Sequence, residues 1–188
     1  MTRLVRLAAE LQSLLDSSSW QNCLIGGLAL QRWGIPRLTI DLDMTVLTGF
    51  GGEEKLVDFL LSKYAARRTD ARDFALRNRV LLIQSGDGIG IDIALGALPF
   101  EERMMKRASE FPFLPDCRLR TCSAEDLIVT KAFAGRDQDW VDVKGVIIRQ
   151  KSLNWRVIYS ELAPLCKLKE APEIISRLKQ LQKEFGGK

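Results

Sequence analysis

Residues 38–47, Leu-Thr-Ile-Asp-Leu-Asp-Met-Thr-Val-Leu, alternate without a break. Leu38, Ile40, Leu42, Met44 and Val46 are apolar, and Thr39, Asp41, Asp43 and Thr45 between them are polar. Successive strand side chains point to opposite faces, so this period predicts a strand with one face in a core. Asp41 and Asp43 then share the polar face, about 6.5–7 Å apart along the backbone. Two carboxylates that close repel unless water or a cation intervenes. Hard divalent cations such as Mg²⁺ take oxygen ligands, which makes Asp-x-Asp on a strand a natural half-site. A solvated face of an antiparallel strand gives the same alternation, so this stretch alone leaves both readings open.

Residues 89–95 sharpen the first reading. Ile89, Ile91, Ile93 and Leu95 are bulky and apolar, whereas Gly88, Gly90, Asp92, Ala94 and Gly96 fall on the other face. Asp92 is the only large side chain on a face otherwise stripped bare. Glycine inside a strand costs stability and often marks close approach of a ligand or another backbone. If this strand pairs beside residues 38–47, about 4.8 Å away, three carboxylates share one surface with room above it. The competing reading is a surface aspartate on a tightly packed edge.

Upstream, the apolar run 20–25 reads as a buried strand that ends at Gly26-Gly27. Residues 28–33 read as a short helix stopped by Gly34 and Pro36. Glycines at a strand-to-helix junction let backbone amides approach a phosphate, and the helix N-terminus favours negative charge. Such a pair also serves ordinary turns, so its value depends on its spacing to Asp41 and Asp43 downstream.

Leu4, Leu7, Ala8, Leu11, Leu14 and Leu15 recur at helical spacing and predict an amphipathic helix over 3–15. Further helices are expected at 53–64, 70–77 and 99–108. Strands 79–84 and 89–95 are expected to form a hairpin through Ser85-Gly86-Asp87-Gly88. Residues 110–121 read as loop or short strand, and beyond Ser123 the pattern is helical: 123–134, 137–149, 155–166 and 172–185. The expected fold is therefore α/β (α+β), a small mixed β-sheet followed by a helical C-terminal segment packed on it. The division is drawn as 1–115 for the α/β core and 116–188 for the helical segment.

Composition narrows the function classes. With 46% hydrophobic and 28% charged residues, the 188-residue chain is balanced for a folded domain. No apolar run reaches the roughly 18–20 residues that span a bilayer, and Arg3, Arg6, Glu10 and Asp16 break any secretory h-region. The expected location is the cytoplasm, with no membrane partner. Cys23, Cys117, Cys122 and Cys166 form no C-x-x-C pair and are expected as buried thiols. The chain has no histidine, which excludes every imidazole-based mechanism. A net charge of +4 is mild for a nucleic-acid partner.

Gly26-Gly27, then Asp41-Leu42-Asp43, then Ile91-Asp92-Ile93 resembles the signature of the DNA polymerase β-like nucleotidyltransferase superfamily. More narrowly, IGGLALQRWGIPRLTIDLDM (25–44), NRVLLIQSGDGIGIDIALG (78–96) and SAEDLIVTKAFAGRDQDWVDVKGVI (123–147) look like the AbiEii-type nucleotidyltransferases of toxin–antitoxin and phage-abortive systems. The resemblance covers about residues 23–148. It implies a nucleotidyltransferase fold and transfer of a nucleoside monophosphate from an NTP to an acceptor hydroxyl. It further implies that Asp41, Asp43 and Asp92 are catalytic and hold two Mg²⁺ ions, with Mn²⁺ as the alternative ion. Asp92 would help deprotonate the acceptor, and Gly26 and Gly27 would seat the triphosphate. Paired metals stabilise both oxygens of an in-line displacement, so such a reaction needs no histidine. The acceptor implied is RNA, such as a tRNA end, with an antitoxin protein as partner. A small-molecule acceptor, as in aminoglycoside-type enzymes, and a nucleotide-binding regulator without turnover are the alternatives.

Two cations complete the nucleotide-binding set. Lys131 lies on the apolar side of a helix that opens with Ser123-Ala124-Glu125-Asp126, the spacing of a capping box. Its amine either snorkels past the stripe or, as the resemblance suggests, points at the triphosphate. Arg37, just before the aspartate strand, either touches phosphate or is solvated. Arg32 and Arg79 are weaker candidates of the same kind. Asp139 and Asp142, one helical turn apart, read as structural contacts of the helical part.

Overall fold

The computed structural model describes residues 1–186. In chain order the elements are α1 (Thr2–Ser17), β1 (Asn22–Leu24), α2 (Gly26–Trp33), β2 (Leu42–Leu47), α3 (Glu53–Leu61), β3 (Ala65–Ala66), α4 (Ala71–Asn78), β4 (Val80–Gln84) and β5 (Gly90–Gly96). They continue with α5 (Pro99–Arg107), β6 (Ser109–Leu114), β7 (Cys117–Thr121), α6 (Ala124–Ala134), α7 (Asp137–Arg149), α8 (Trp155–Lys169) and α9 (Glu173–Phe185). Among the described residues no helix is long and apolar enough to cross a membrane.

Residue contacts divide the chain into two compact units. Met1–Leu28 with Leu38–Cys122 forms the first, and Ala29–Arg37 with Ser123–Lys188 the second.

All the strands belong to the first unit and make one mixed sheet, ordered β3-β4-β5-β2-β1-β7-β6. β2 is antiparallel to β1 and parallel to β5, and β5 closes the expected hairpin with β4. The hairpin turn is tied by Ser85 N–H to Ile89 O at 3.0 Å and by Gly88 N–H to Ser85 O at 2.9 Å. Leu42, Met44, Val46, Ile91, Ile93, Leu81 and Ile83 are buried on one sheet face, in one cluster with Leu4, Leu11 and Leu15 of α1, Leu56 and Leu60 of α3 and Ala75 of α4. Burying each large side chain is worth about 1.5–3 kcal/mol. A one-residue slip of β2 would put its aspartate into that core, so the register is strongly fixed.

The sequence pattern extends the aspartate strand too far upstream. β2 begins at Leu42, and Leu38 and Ile40 are 80% and 71% exposed instead of facing the core. Pro36, fixed in φ and without an N–H, sits next to this irregular segment and disfavours continuation of a ladder. The stretch read as loop or short strand is instead the β6–β7 hairpin, which carries a bulge between Pro112 and Leu114.

In the second unit, α6 packs against α7 and α8, and α9 lies on α7 and α8. Its core is built from Leu127, Ile128, Val143, Val146, Ile158, Leu162 and Leu178, all fully buried. The capping expectation for α6 is met: Ser123 Oγ accepts from Asp126 N–H at 3.1 Å. Ala29–Arg37 joins this unit through α7. Gly145 comes so close that a Cβ on it would lie 3.3 Å from Ile35 N, and Arg149 and Gln150 donate to the carbonyls of Gly34 and Trp33.

Candidate active site

The polar face of β2 and β5 gathers the carboxylates. Asp43 and Asp92 are register partners across the parallel pair, so their side chains leave the sheet side by side, about 4.8 Å apart at the backbone. Asp41 lies one residue before β2 and reaches the same face: a Cβ built on Gly90 would be 2.5 Å from its Oδ1. Gly90 is bare because that space belongs to Asp41.

Gly26 and Gly27 are explained in the same way. Gly26 has φ +54°, a left-handed conformation that glycine adopts without strain. A Cβ there would lie 2.0 Å from Asp43 Oδ2, and one on Gly27 would lie 2.2 Å from Thr39 Oγ1. The Gly27 N–H, at the start of α2, donates to Asp43 Oδ2 at 3.3 Å, and Ile25 N–H donates to Asp43 O at 3.0 Å. The glycine pair thus holds the first turn of α2 against Asp43, with the positive end of the helix facing a carboxylate.

Arg67, which immediately follows β3, is the residue at this site that the sequence does not single out. Its Nη2 donates to Asp92 Oδ1, and its Nη1 would lie 2.7 Å from a Cβ on Gly90. Asp92 is pushed above the ordinary carboxylate range chiefly by burial. Arg67 opposes that shift, while the charges of Asp43 and Asp41 add to it.

The donor chemistry fits divalent cations. Three carboxylates share a surface on which Gly26 and Gly90 make room for the side chains of Asp43 and Asp41, and a guanidinium already sits among them as a cation would. In this arrangement Asp43 turns to Gly27 and Asp92 to Arg67. Among the described residues no three carboxylates or thiols are drawn to one point.

The two expected cations lie in the second unit, where both meet carboxylates. Lys131 is 5% exposed, and its Nζ lies 2.7 Å from Asp142 Oδ2 and 3.2 Å from Asp139 Oδ1. Arg37 grips Asp142 with Nε and Nη2, each at 2.9 Å. Arg136 grips Asp139 with Nε at 2.6 Å and Nη2 at 3.1 Å. Burial raises both aspartates, but bonds from Arg136 and Lys131 to Asp139, and from Arg37, Lys131 and Gln138 to Asp142, outweigh it. Both carboxyls are held below their ordinary range. Arg79, in the first unit, is a structural clasp that bonds Glu53 and the Leu95 carbonyl. Cys23, Cys117, Cys122 and Cys166 are buried and form no disulfide among the described residues.

The fold is that of a nucleotidyltransferase. It superposes on an antigenic nucleotidyltransferase-like protein from Paracoccidioides brasiliensis with a TM-score of 0.53 at 16% identity, covering 94% of this chain and 92% of that one. It also superposes on the antibiotic-resistance factor ANT(2″)-Ia with a TM-score of 0.56 at 18% identity, covering 92% and 96%. No curated protein matches the chain. The family model of the nucleotidyl transferase AbiEii toxin, type IV toxin–antitoxin system, matches residues 11–146, and the chain belongs to that family of nucleotidyltransferases.

Proposed function

We propose that the protein transfers a nucleoside monophosphate from an NTP to an acceptor hydroxyl, with Asp41, Asp43 and Asp92 holding two Mg²⁺ ions. The observation that carries this reading is the row of Asp43 and Asp92 in register beside Asp41, with Gly26 and Gly90 making room for the side chains of Asp43 and Asp41. When bound, the ions would neutralise the triphosphate and the charge that develops on the attacking and leaving oxygens. The chain's own part is to orient and to take a proton. Asp41 and Asp43 present carboxylate oxygens from a fixed strand end. Asp92, in register with Asp43 on the same sheet face, would accept the proton of the acceptor hydroxyl. Gly26 and Gly27 open the first turn of α2 to phosphate oxygens.

For Arg37 and Lys131, the sequence resemblance supports contact with the nucleotide. Their geometry within the second unit supports positioning of Asp139 and Asp142.

Membership of the AbiEii family supports an RNA acceptor, such as a tRNA end, and an antitoxin partner. The test is incubation with each labelled NTP, Mg²⁺ and total RNA, with aminoglycosides and protein as parallel acceptors. Label in RNA that is lost in Asp41→Ala and Asp92→Ala supports the proposal. Label in the aminoglycoside alone moves the acceptor to a small molecule. NTP binding with no metal-dependent transfer overturns the catalytic reading and leaves a nucleotide-binding regulator.

A further inference from the structure

Four residues form one row across the sheet. Arg67 N–H donates to Leu82 O at 3.1 Å, Leu82 is the register partner of Asp92, and Asp92 is the register partner of Asp43. Side chains in such a row leave the same face of the sheet. The guanidinium of Arg67 bonds Asp92 and stands over Gly90 beside Asp41. Both partners of this ion pair keep access to solvent, with side-chain exposures of 28% and 38%. The pair is therefore poised to open, because an ion pair in contact with water holds weakly.

We propose that Arg67 is a resident counter-cation of the carboxylate row, holding Asp92 until a divalent ion takes its place and so setting the affinity of the site for metal. The inference rests on the reading of Asp41, Asp43 and Asp92 as metal ligands. An ion that needs Asp92 binds only the fraction of molecules in which Arg67 has let go, and its apparent affinity falls by that fraction. Arg67 enters from β3, the edge of the sheet, so it can swing out without disturbing β5. A guanidinium that merely buttressed Asp92 would do the opposite: its removal would misplace a ligand and weaken metal binding.

The experiment is calorimetric titration of the full chain with MnCl₂ in the absence of nucleotide. Arg67→Gln is expected to bind Mn²⁺ about two- to five-fold more tightly than wild type. Arg67→Lys keeps the charge but not the forked reach, and it should tighten binding by a smaller factor. Unchanged or weaker binding in Arg67→Gln overturns the proposal, as does weaker binding in Arg67→Lys. Asp41→Asn/Asp43→Asn separates the two levels of inference. Mn²⁺ binding that survives there overturns the carboxylate reading together with the proposal. Binding that is lost there but not tightened in Arg67→Gln overturns the role of Arg67 alone.

Discussion

Asp43 and Asp92 face each other in register across two parallel strands, and each carboxylate is turned to a different donor, Gly27 N–H for Asp43 and the Arg67 guanidinium for Asp92. Activity and stability should therefore separate at Asp92. Asp92→Asn removes a charge that burial and two acidic neighbours disfavour, so the thermal midpoint of the metal-free protein should hold or rise. Transfer to RNA should fall by about 10²–10⁴-fold if Asp92 takes the acceptor proton. Melting curves and single-turnover rates on the same preparation check the two signs.

Gly26→Ala should be costly on both counts. Its φ of +54° disfavours any Cβ, and the new methyl would meet Asp43 Oδ2. The expected loss is about 1–2 kcal/mol in urea unfolding, together with loss of nucleotidyl transfer because Asp43 must move.

Lys131 is buried between two carboxylates. Lys131→Met leaves Asp139 and Asp142 short of one cation and should destabilise the protein by about 3 kcal/mol, measured by chemical unfolding. A rise in KM for NTP beyond what the unfolded fraction explains would assign Lys131 to the nucleotide as well.

Asp139 and Asp142 have folded pKa values below their ordinary range. The stability they contribute is present above the unfolded carboxylate pKa and is lost as pH falls through the depressed folded values. Melting temperatures measured from pH 7 downward should hold until roughly pH 4 and then drop. Asp142→Asn should start lower and fall less steeply, and an equal slope in that variant would remove Asp142 from the acid response.

Leu38 and Ile40 stand in solvent. Leu38→Ser/Ile40→Ser should change stability by no more than about 0.5 kcal/mol per site. A core strand extending through both positions would instead lose about 2–5 kcal/mol at each. Urea titration distinguishes the two.

Those two residues show where the sequence pattern stops being informative. Period two records which side chains alternate, and it persists upstream of Leu42, where β2 begins and Leu38 and Ile40 are exposed. Asp43 and Asp92 are readable because apolar residues of β2 and β5 bracket them in a buried sheet. Arg67 is not, since a two-residue edge strand has no period and a surface arginine resembles any other. The grouping of Ala29–Arg37 with the C-terminal helices is also hidden. It depends on the close approach of Gly145 to Ile35 and on Arg37 reaching Asp142, contacts between residues more than a hundred positions apart.

That interleaving has a consequence for biosynthesis. Each unit is assembled from two separated stretches, so neither is a contiguous gene fragment, and a truncation at Cys122 strands Ala29–Arg37 without the helices it packs on. As the chain leaves the ribosome, the nascent sheet unit carries this segment, with Ala29 and Leu30 that are buried in the finished protein, until residues after Ser123 emerge. A protein made in this order is exposed to proteases and chaperones for longest at that one segment. Inserted tags or split sites are best kept away from residues 29–37.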